Sequence, residues 1–595
     1  MDRDQRAIEL FLAPEILLAP AAQPPLTAER AFSPILRPES LAVAVLNTKG
    51  EVLDASPLFL AEGATQLIDR EAVGLAMRRD RPVSRPVAVQ RCGAVHPVVF
   101  TYMRAARARA LNAVLPALAE ATAEPRVVVL ASLSAGAGPL DWACERFGLS
   151  GLQRRVVATV VHTGSIKRAA TELGVAYDTA REALSGCYRR TGTRRVSELV
   201  GRLSALAFGL LPSDRDASVL LTDIWGLSQR QAAVALLVAS GVSRKEAARA
   251  LKLSAAVVRK ELEHIFDILQ VTTESELARA LAGLEAQAAL LAGEPGFMST
   301  PIEPLRLRPR PDGSLTAWSD YGPADGRPVL FVHSSMTTRI APRGLVAALQ
   351  AAGFRPIAVD RPGFGMSDPL PGVKAGAHDP FEAAAQDFVA LADALGVPQF
   401  DVVARGGAQF VVALARLAPA LLGRAVLVNP DPPSGLDSRR VGPLGVLKEI
   451  YLRRPELIRP AIQVLARRLT RDRLRSMFEV SMRGSPADER AIADTEIFDD
   501  YHRSTRMFAT GRIEGYVNEQ VALAKSEAAL GLCRRPDWTV LIAEGDTLHD
   551  PDIVERYWRA VLPDSDFVRA HNAGRFLAMT HTDLVVQALT ARPRA

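Results

Sequence analysis

The chain has 595 residues, of which 48% are hydrophobic and 23% charged. That balance excludes a wholly disordered chain and a collagen or coiled-coil rod, and the length corresponds to about three to five domains. Lys and Arg total 72 against 66 Asp and Glu, which gives a net charge of +6. So small an excess neither requires nor excludes a polyanionic partner, and the positions of the basic residues must decide.

The four cysteines lie far apart in the sequence, and no pair has metal or redox spacing. We therefore expect a reducing compartment, no metal site and no cofactor. The N-terminal segment carries acidic residues and lacks the clean apolar run of a signal peptide. The longest apolar stretches fall short of the roughly 18 residues that span a bilayer, so a cytoplasmic protein without membrane contact is expected.

Residues 1–37 are rich in Pro and Ala and predict a helix followed by a linker. Residues 38–135 begin with an apolar strand and an alternating strand, which are joined by turn-forming residues at 47–50. A helical segment and three further strand-like segments follow. This layout resembles a PAS-type domain, and the resemblance implies either a ligand sensor or a plain dimerisation module.

Two segments, 145–205 and 226–285, share one order of short helices and Gly turns at a spacing of about 78 residues. In the second, Ser243 and Glu246 have capping-box spacing, and Ser254 can cap the following helix. Both segments resemble the helix-turn-helix of LuxR/FixJ-type transcription regulators. The resemblance implies that the helix after Ser254, and its counterpart in the first copy, enter the DNA major groove.

The same resemblance implies a set of DNA-contacting residues: Tyr177, Asp178, Thr179, Arg181, Ser185, Arg189, Arg190, Arg194, Arg195, Ser254, Arg259 and Lys260. Residues 145–203 hold 11 basic and 5 acidic side chains, whereas residues 226–285 hold 8 and 7. Because phosphate contacts dominate affinity, the first copy is expected to bind DNA more strongly. The alternative is that these are ordinary helical bundles, with the second copy serving packing or dimer contacts.

From residue 300 onward, short apolar strands at 328–333, 354–360, 400–404, 424–429 and 538–546 alternate with helical patterns, which predicts a mostly parallel, doubly wound sheet. Residues 432–535 are helical and charged, and they interrupt the alternation as an inserted cap would. The segment 360–368 and His333, each following an apolar strand, resemble loops of the α/β-hydrolase family. The resemblance covers residues 300–592 and implies that fold.

The catalytic triad of that family has no standard counterpart here. By resemblance, the nucleophile of the Gly-x-Ser-x-Gly turn falls on Gly406 and the base falls on Arg575, which leaves only the acid, at Asp546. Glycine has no hydroxyl and arginine stays protonated, so the domain is expected to be a pseudo-hydrolase without enzymatic activity. Its pocket is expected to bind a small-molecule signal instead. The predicted lining residues are His333, Ser334, Ser335, Met336, Arg405, Gly406, Gly407 and Arg575.

These features predict a multidomain chain with an α+β PAS-like domain, two all-α helix-turn-helix domains and an α/β-hydrolase fold. The predicted function is transcription regulation, with double-stranded DNA, a small-molecule signal, RNA polymerase and a second copy in a homodimer as expected partners. One alternative is an active α/β-hydrolase-fold enzyme that uses non-standard catalytic residues and is fused to a DNA-binding region. Another is a hydrolase-like domain that serves only as a scaffold for dimerisation or interaction.

Overall fold

The computed structural model describes residues 42–61, 64–78, 82–91, 94–108, 125–131, 137–207, 217–291, 304–370, 379–436, 442–459, 461–462, 471–506, 513–525 and 533–591. The helix and linker predicted for residues 1–37 lie outside these residues. By its internal contacts the chain divides into two compact units. One covers Ala22–Pro301 with Pro311–Gly313, and the other covers Ile302–Arg310 and Ser314–Ala595.

The first unit begins with a five-stranded antiparallel sheet in the order β2-β1-β5-β4-β3. The strands are β1 (Val43–Leu46), β2 (Val52–Ala55), β3 (Val83–Arg91), β4 (Ala94–Arg104) and β5 (Val127–Ala131), and helices α1 (Pro57–Ala61) and α2 (Arg70–Arg78) follow β2. Asn47 closes the first turn, because its side-chain oxygen accepts from the backbone N–H groups of Lys49 and Glu51. The predicted order of strand pair, helices and three strands is confirmed, whereas the PAS identity stays a prediction.

The described residues from Ala137 to Leu291 form helices joined by short turns, as predicted. The helices are α3 (Ala137–Arg146), α4 (Gly151–Thr163), α5 (Ile166–Leu173), α6 (Tyr177–Thr191), α7 (Val196–Ala207), α8 (Ala217–Trp225), α9 (Gln229–Ala239), α10 (Arg244–Ala250), α11 (Ala255–Leu269) and α12 (Glu274–Leu291). The capping box predicted at Ser243 and Glu246 is formed, and Ser254 caps α11 through the N–H of Val257. Helices α4–α7 form the first repeat and α9–α12 the second.

The second unit is built on an eight-stranded sheet in the order β13-β12-β11-β10-β8-β9-β7-β6. The strands are β6 (Arg306–Pro309), β7 (Leu315–Asp320), β8 (Arg327–Val332), β9 (Phe354–Val359), β10 (Phe400–Arg405), β11 (Leu422–Val428), β12 (Trp538–Ala543) and β13 (Asp566–Ala570). Strands β8 to β13 pair in parallel, and β7 pairs antiparallel with β9 and β6. The sheet reverses its strand order between β8 and β10, and the ends of these strands define a crevice where open α/β sheets bind ligands.

Helices cover both faces of this sheet, as the continuous apolar runs of its strands require. They are α13 (Arg343–Ala351), α14 (Pro380–Leu395), α15 (Ala408–Leu417), α21 (Pro551–Val561), α22 (Leu577–Thr580) and α23 (Thr582–Thr590). Along β10, Val402 packs with α14 and α15, while Val403 packs with α13 and α23. The most deeply buried strand therefore carries the loop at the centre of the crevice.

The predicted cap is helical where the structure describes it. It contains α16 (Gly442–Arg453), α17 (Arg471–Ser481), α18 (Pro486–Ala493), α19 (Thr495–Arg506) and α20 (Glu514–Lys525). Their apolar faces form a cluster of their own, with Phe478 and Phe498 fully buried, and Phe576 from the main domain joins it. In the part of the chain that the structure describes, no helix combines the length and hydropathy needed to cross a membrane.

Candidate functional site

The turn after β10 has the shape of a nucleophile elbow but carries no nucleophile. Gly406 and Gly407 both adopt positive φ angles, 70° and 61°, between the end of the strand and the start of α15. A Cβ atom on Gly406 would lie 3.0 Å from the Cβ of Ser334 and 3.7 Å from Oδ2 of Asp431. The backbone thus has the turn of an elbow, which is strained for a residue other than glycine, and a neighbouring carboxylate lies beside the place of the absent side chain.

Asp431 lies at the centre of a network of neighbouring ionisable groups at this elbow. Its Oδ1 accepts from Nη2 of Arg575 at 2.6 Å and lies 3.1 Å from Nε2 of His549. The other end of the Arg575 guanidinium lies 3.4 Å from Asp546. Nδ1 of His549 lies 3.2 Å from Nζ of Lys448. Arg575 therefore forms a salt bridge across the former triad positions to Asp546, and it pairs with a second carboxylate, Asp431, as well.

The opposite charges in this network favour the ionised forms of their neighbours. Burial alone would raise the pKa of Asp431, but the guanidinium of Arg575 and the hydrogen-bonded imidazole of His549 hold it far below its usual range. Burial likewise opposes the charge on Arg575, yet Asp431 and Asp546 raise its pKa above its usual value. At neutral pH the site thus contains an ionised carboxylate and a protonated guanidinium in contact.

Arg405, the last residue of β10, points a second guanidinium into the crevice. It is 8% exposed, and its Cζ lies 4.7 Å from the ring centre of Tyr501 on the cap. Burial lowers the pKa of Arg405, and the nearby positive charge of Arg575 acts in the same direction. Among the described residues, no carboxylate oxygen lies within the 4.0 Å of an ion pair with it. The Tyr501 side chain, through its ring face and a side-chain hydrogen bond, and the more distant charge of Asp431 favour the charged form of Arg405.

A cavity of about 110 Å³ lies between these groups and the cap. Of the predicted lining residues, Ser334, Ser335, Met336, Arg405, Gly406 and Arg575 do line it. His333 and Gly407 do not: His333 is fully buried behind the crevice, where Nε2 accepts from the N–H of Arg361. Burial and the charge of Arg361 hold the pKa of His333 well below its usual value, so His333 is a neutral structural residue.

Several cavity residues were missed by the reading of the sequence. Asp431 follows β11, and His549 follows β12, so both stand at the carboxyl ends of parallel strands. That placement was a usable signal, since ligand groups of open α/β sheets gather at this edge. The cap residues Tyr451, Tyr501 and Tyr516 gave no such signal, because only the tertiary fold brings them to the cavity.

The residues predicted to contact DNA belong to the first unit, and all of them are exposed. Those from Tyr177 to Arg190 lie on α6, and Arg194 and Arg195 lie in the turn before α7. Ser254 precedes α11, which carries Arg259 and Lys260. Arg181 is the one on α6 with a nearby acid, Asp178, at 3.9 Å among the described residues. Exposure makes these side chains accessible, and the DNA contacts themselves stay a prediction.

The family match covers the sheet, the elbow and the cap. Residues 327–582 match the family described as alpha/beta hydrolase fold. These residues form an α/β-hydrolase fold domain. The match begins at β8 and ends at the start of α23, so the α/β-hydrolase domain includes the parallel strands of the sheet and every described cavity residue.

Individual relatives are also similar to this α/β-hydrolase domain. A non-heme chloroperoxidase of Streptomyces lividans is 32% identical over 143 residues, which are 24% of this chain and 49% of that protein. The chain thus spans about half the length of this curated relative. A malate-bound thermophilic esterase from Thermogutta terrifontis has 24% identity and a TM-score of 0.33, covering 46% of this chain and 92% of its own. The enol-lactonase from Burkholderia xenovorans has 20% identity and a TM-score of 0.33, covering 47% of this chain and 98% of its own.

The prediction that the domain is not an enzyme is wrong by these comparisons. The chloroperoxidase, which is 32% identical over 143 residues, bears the name of an enzyme, and the family match extends over the whole edge of the sheet that holds the cavity. The inference from Gly406 and Arg575 considered only the standard triad positions. It overlooked Asp431 and His549, which bring a carboxylate and an imidazole to the same crevice.

Proposed function

We propose that this chain is a DNA-binding regulator whose α/β-hydrolase domain recognises a small molecule with a carboxylate or ester-like group. The observation that carries the ligand part is Arg405, a buried guanidinium at the cavity wall without an ion-pair partner among the described residues. A buried charge is unfavourable until it is paired. A ligand oxygen that accepts hydrogen bonds from Arg405 would supply the missing partner.

The composition of the cavity wall supports the same ligand class. Its charged residues are Arg405, Lys448 and Arg575 against the single carboxylate of Asp431. Even with Asp546 behind Arg575, the group keeps one excess positive charge. The remaining wall is mostly apolar or aromatic, including Leu444, Leu447, Tyr451, Phe478 and Tyr501. A small acid or ester with an apolar body fits this distribution, and the volume is several times the roughly 15 Å³ that one water needs.

The test of ligand recognition is calorimetric titration of the full chain with short aryl and acyl carboxylates, each compared with its neutral amide. Carboxylates are expected to bind more tightly than the amides. Arg405→Gln is expected to weaken carboxylate binding about 10- to 100-fold, the usual cost of a charged hydrogen bond. Arg556→Gln, which changes an exposed arginine on α21, is the matched control. Equal binding by wild type and Arg405→Gln would refute the assigned role of Arg405.

A second candidate function is hydrolysis of the bound molecule, and Asp431 favours it. This carboxylate lies beside the position of the absent serine, and His549 contacts it. Asp431 can hold a water molecule while the imidazole of His549 takes up its proton, and attack of that water on an ester carbonyl yields an acid and an alcohol. A screen of esters, lactones and thioesters tests the idea. Turnover should be lost in both Asp431→Asn and His549→Gln and kept in Arg556→Gln; the absence of turnover with every substrate would exclude this candidate.

The DNA-binding part of the proposal is supported by the exposed basic residues of α6 and the turn that follows it. Nucleic-acid backbones are bound chiefly by such cations, and the first repeat concentrates the positive charge of the chain. Selection of duplexes from a random library by the full chain tests it. Regulation requires that a ligand change the DNA affinity, so binding is measured with and without the best carboxylate. Identical DNA affinities with and without the carboxylate would mean that ligand binding does not regulate DNA binding.

A further inference from the structure

The two helical repeats correspond residue by residue with a constant offset. Helix α9 starts at Gln229 and α4 at Gly151, and α12 starts at Glu274 and α7 at Val196. Both differences, 229 minus 151 and 274 minus 196, equal 78, and the two helix starts between them keep the same offset. A position in one repeat therefore identifies its counterpart in the other.

The contacts between the repeats are reciprocal at their turns. A Cβ atom on Gly164, in the turn after α4, would lie 2.9 Å from Oγ1 of Thr273 and 3.5 Å from Oε1 of Glu276. The turn after α9 in the second repeat contains Gly241, one residue before the position that the offset of 78 assigns to Gly164, and its Cβ would lie 2.6 Å from Cβ of Glu198. Glu198 is the counterpart of Glu276 at the offset of 78. Each turn thus packs against the same part of the other repeat.

The final helices, α7 and α12, pack against each other and show the same reciprocity. A Cβ atom on Gly201 of α7 would lie 3.6 Å from the carbonyl oxygen of Ala239 and 3.6 Å from Cβ of Ala278. The counterpart of Gly201 is Arg279, whose Nη1 donates to the carbonyl oxygen of Val161 at 3.4 Å. Val161 is in turn the counterpart of Ala239. The Gly201–Ala239 and Arg279–Val161 contacts are thus exchanged at the exact offset of 78, and the two turn contacts are exchanged to within one residue.

In a two-fold arrangement, each contact between a residue of one copy and a residue of the other is repeated between their two counterparts, with the copies exchanged. The contacts between the two helical repeats follow this rule. We propose that the two repeats form an internal pseudo-symmetric dimer, so that one chain binds one duplex through two inverted half-sites. This inference rests on the proposed DNA binding. A two-fold axis between the repeats presents α6 and α11 in opposite directions, as paired half-sites require. A homodimer is then unnecessary for reading both half-sites.

The two half-sites are expected to differ in sequence. Helix α6 begins with Tyr177, Asp178 and Thr179, whereas α11 begins with Ala255 and Ala256 at the matching positions. The polar side chains of α6 can hydrogen bond to base edges, while alanine can offer only an apolar contact. The preferred duplex is therefore an imperfect inverted repeat with one strongly specified half-site.

A designed disulfide tests the internal pairing without DNA. The 3.6 Å between the Cβ positions of Gly201 and Ala278 lies within the disulfide range. In the full chain, Gly201→Cys with Ala278→Cys should form an intrachain bond under mild oxidation, seen by peptide mass spectrometry and as a monomer on a non-reducing gel. The control pair, Gly201→Cys with Ala280→Cys, places the second thiol on another side of α12. An interchain bond, or equal cross-linking in both pairs, would overturn the pairing.

The oxidised Gly201→Cys/Ala278→Cys chain is then used in duplex selection and native mass spectrometry. We expect one chain per duplex and two inverted, unequal half-sites. Arg181→Ala should weaken binding about fivefold or more through one half-site, and Lys260→Ala through the other. Two chains on a minimal duplex, or both substitutions acting on one half-site, would refute the proposal. If the wild-type chain selects no duplex, the proposed DNA binding fails, whereas the disulfide still decides whether the repeats pair.

Discussion

Replacement of Arg575 by methionine tests whether the network of charges at the elbow stabilises the α/β-hydrolase domain. The substitution removes the 2.6 Å contact with Asp431, whose side chain is 15% exposed, and the 3.4 Å contact with Asp546, which is buried. Breaking a buried pair from one side costs about 3–5 kcal/mol, because the remaining charge loses its partner. We expect the transition of this domain in differential scanning calorimetry to fall accordingly at pH 7.5.

The matched control is Arg569→Met, which also removes contacts with two carboxylates, Asp552 and Glu555, but at a site where the arginine is 40% exposed. Exposed pairs contribute about 0–1 kcal/mol, so the control should change little. Adding Asp431→Asn to Arg575→Met should recover at least about 1 kcal/mol, since it removes an orphaned charge. The cost of Arg575→Met should also shrink near pH 5, where Asp431 can take up a proton without its guanidinium partner. Equal losses in Arg575→Met and Arg569→Met, or strictly additive costs, would refute the reasoning.

Three further predictions concern other parts of the chain. Burial raises the pKa of Asp488 to about 6, so the folded state loses stability as the pH rises through 6. Asp488→Asn should therefore stabilise the fold by up to about 3 kcal/mol at pH 7.5 and by little at pH 4. Equal stabilisation in thermal melts at the two pH values would contradict the raised pKa. Arg181→Ala with Arg189→Ala should weaken DNA binding and make the salt slope shallower by about 2, whereas an unchanged slope in anisotropy titrations would exclude phosphate contacts. Gly406→Ala should cost about 1–2 kcal/mol at its positive φ, and unaltered thermal unfolding would contradict the strained elbow.

The sequence predicted the strands that are buried on both faces and missed those at the sheet edges. Strand β10 is a continuous buried run and was correctly assigned. Strand β13 has the sequence DFVRA with Val568 and Arg569 exposed, so its pattern carried no clear strand signal. Strands β6 and β7 pair antiparallel at the other edge and were missed for a similar reason, since short edge strands lack a long apolar run.

The candidate site was predictable where one short motif fixes the geometry. Gly406 and Arg405 follow from the strand-to-helix turn alone, and both line the cavity. Asp431, His549 and Tyr501 come from three loops or helices that meet only through the packing of the sheet and cap. Conclusions about catalysis drawn from the motif alone were therefore incomplete, because a residue from another strand end can bring its functional group to an empty position.

The net charges of the two repeats indicate how each would contribute to DNA binding. Exposed ion pairs do not separate the repeats, because Arg259 lies 3.8 Å from Glu263 in the second and Arg181 lies 3.9 Å from Asp178 in the first. Residues 145–203 hold 11 basic and 5 acidic side chains, whereas residues 226–285 hold 8 and 7. Because phosphate contacts release counterions, most of the salt dependence should come from the first repeat, while the second contacts the other half-site. An internal pair of this kind gains specificity from both half-sites but draws its affinity mainly from one.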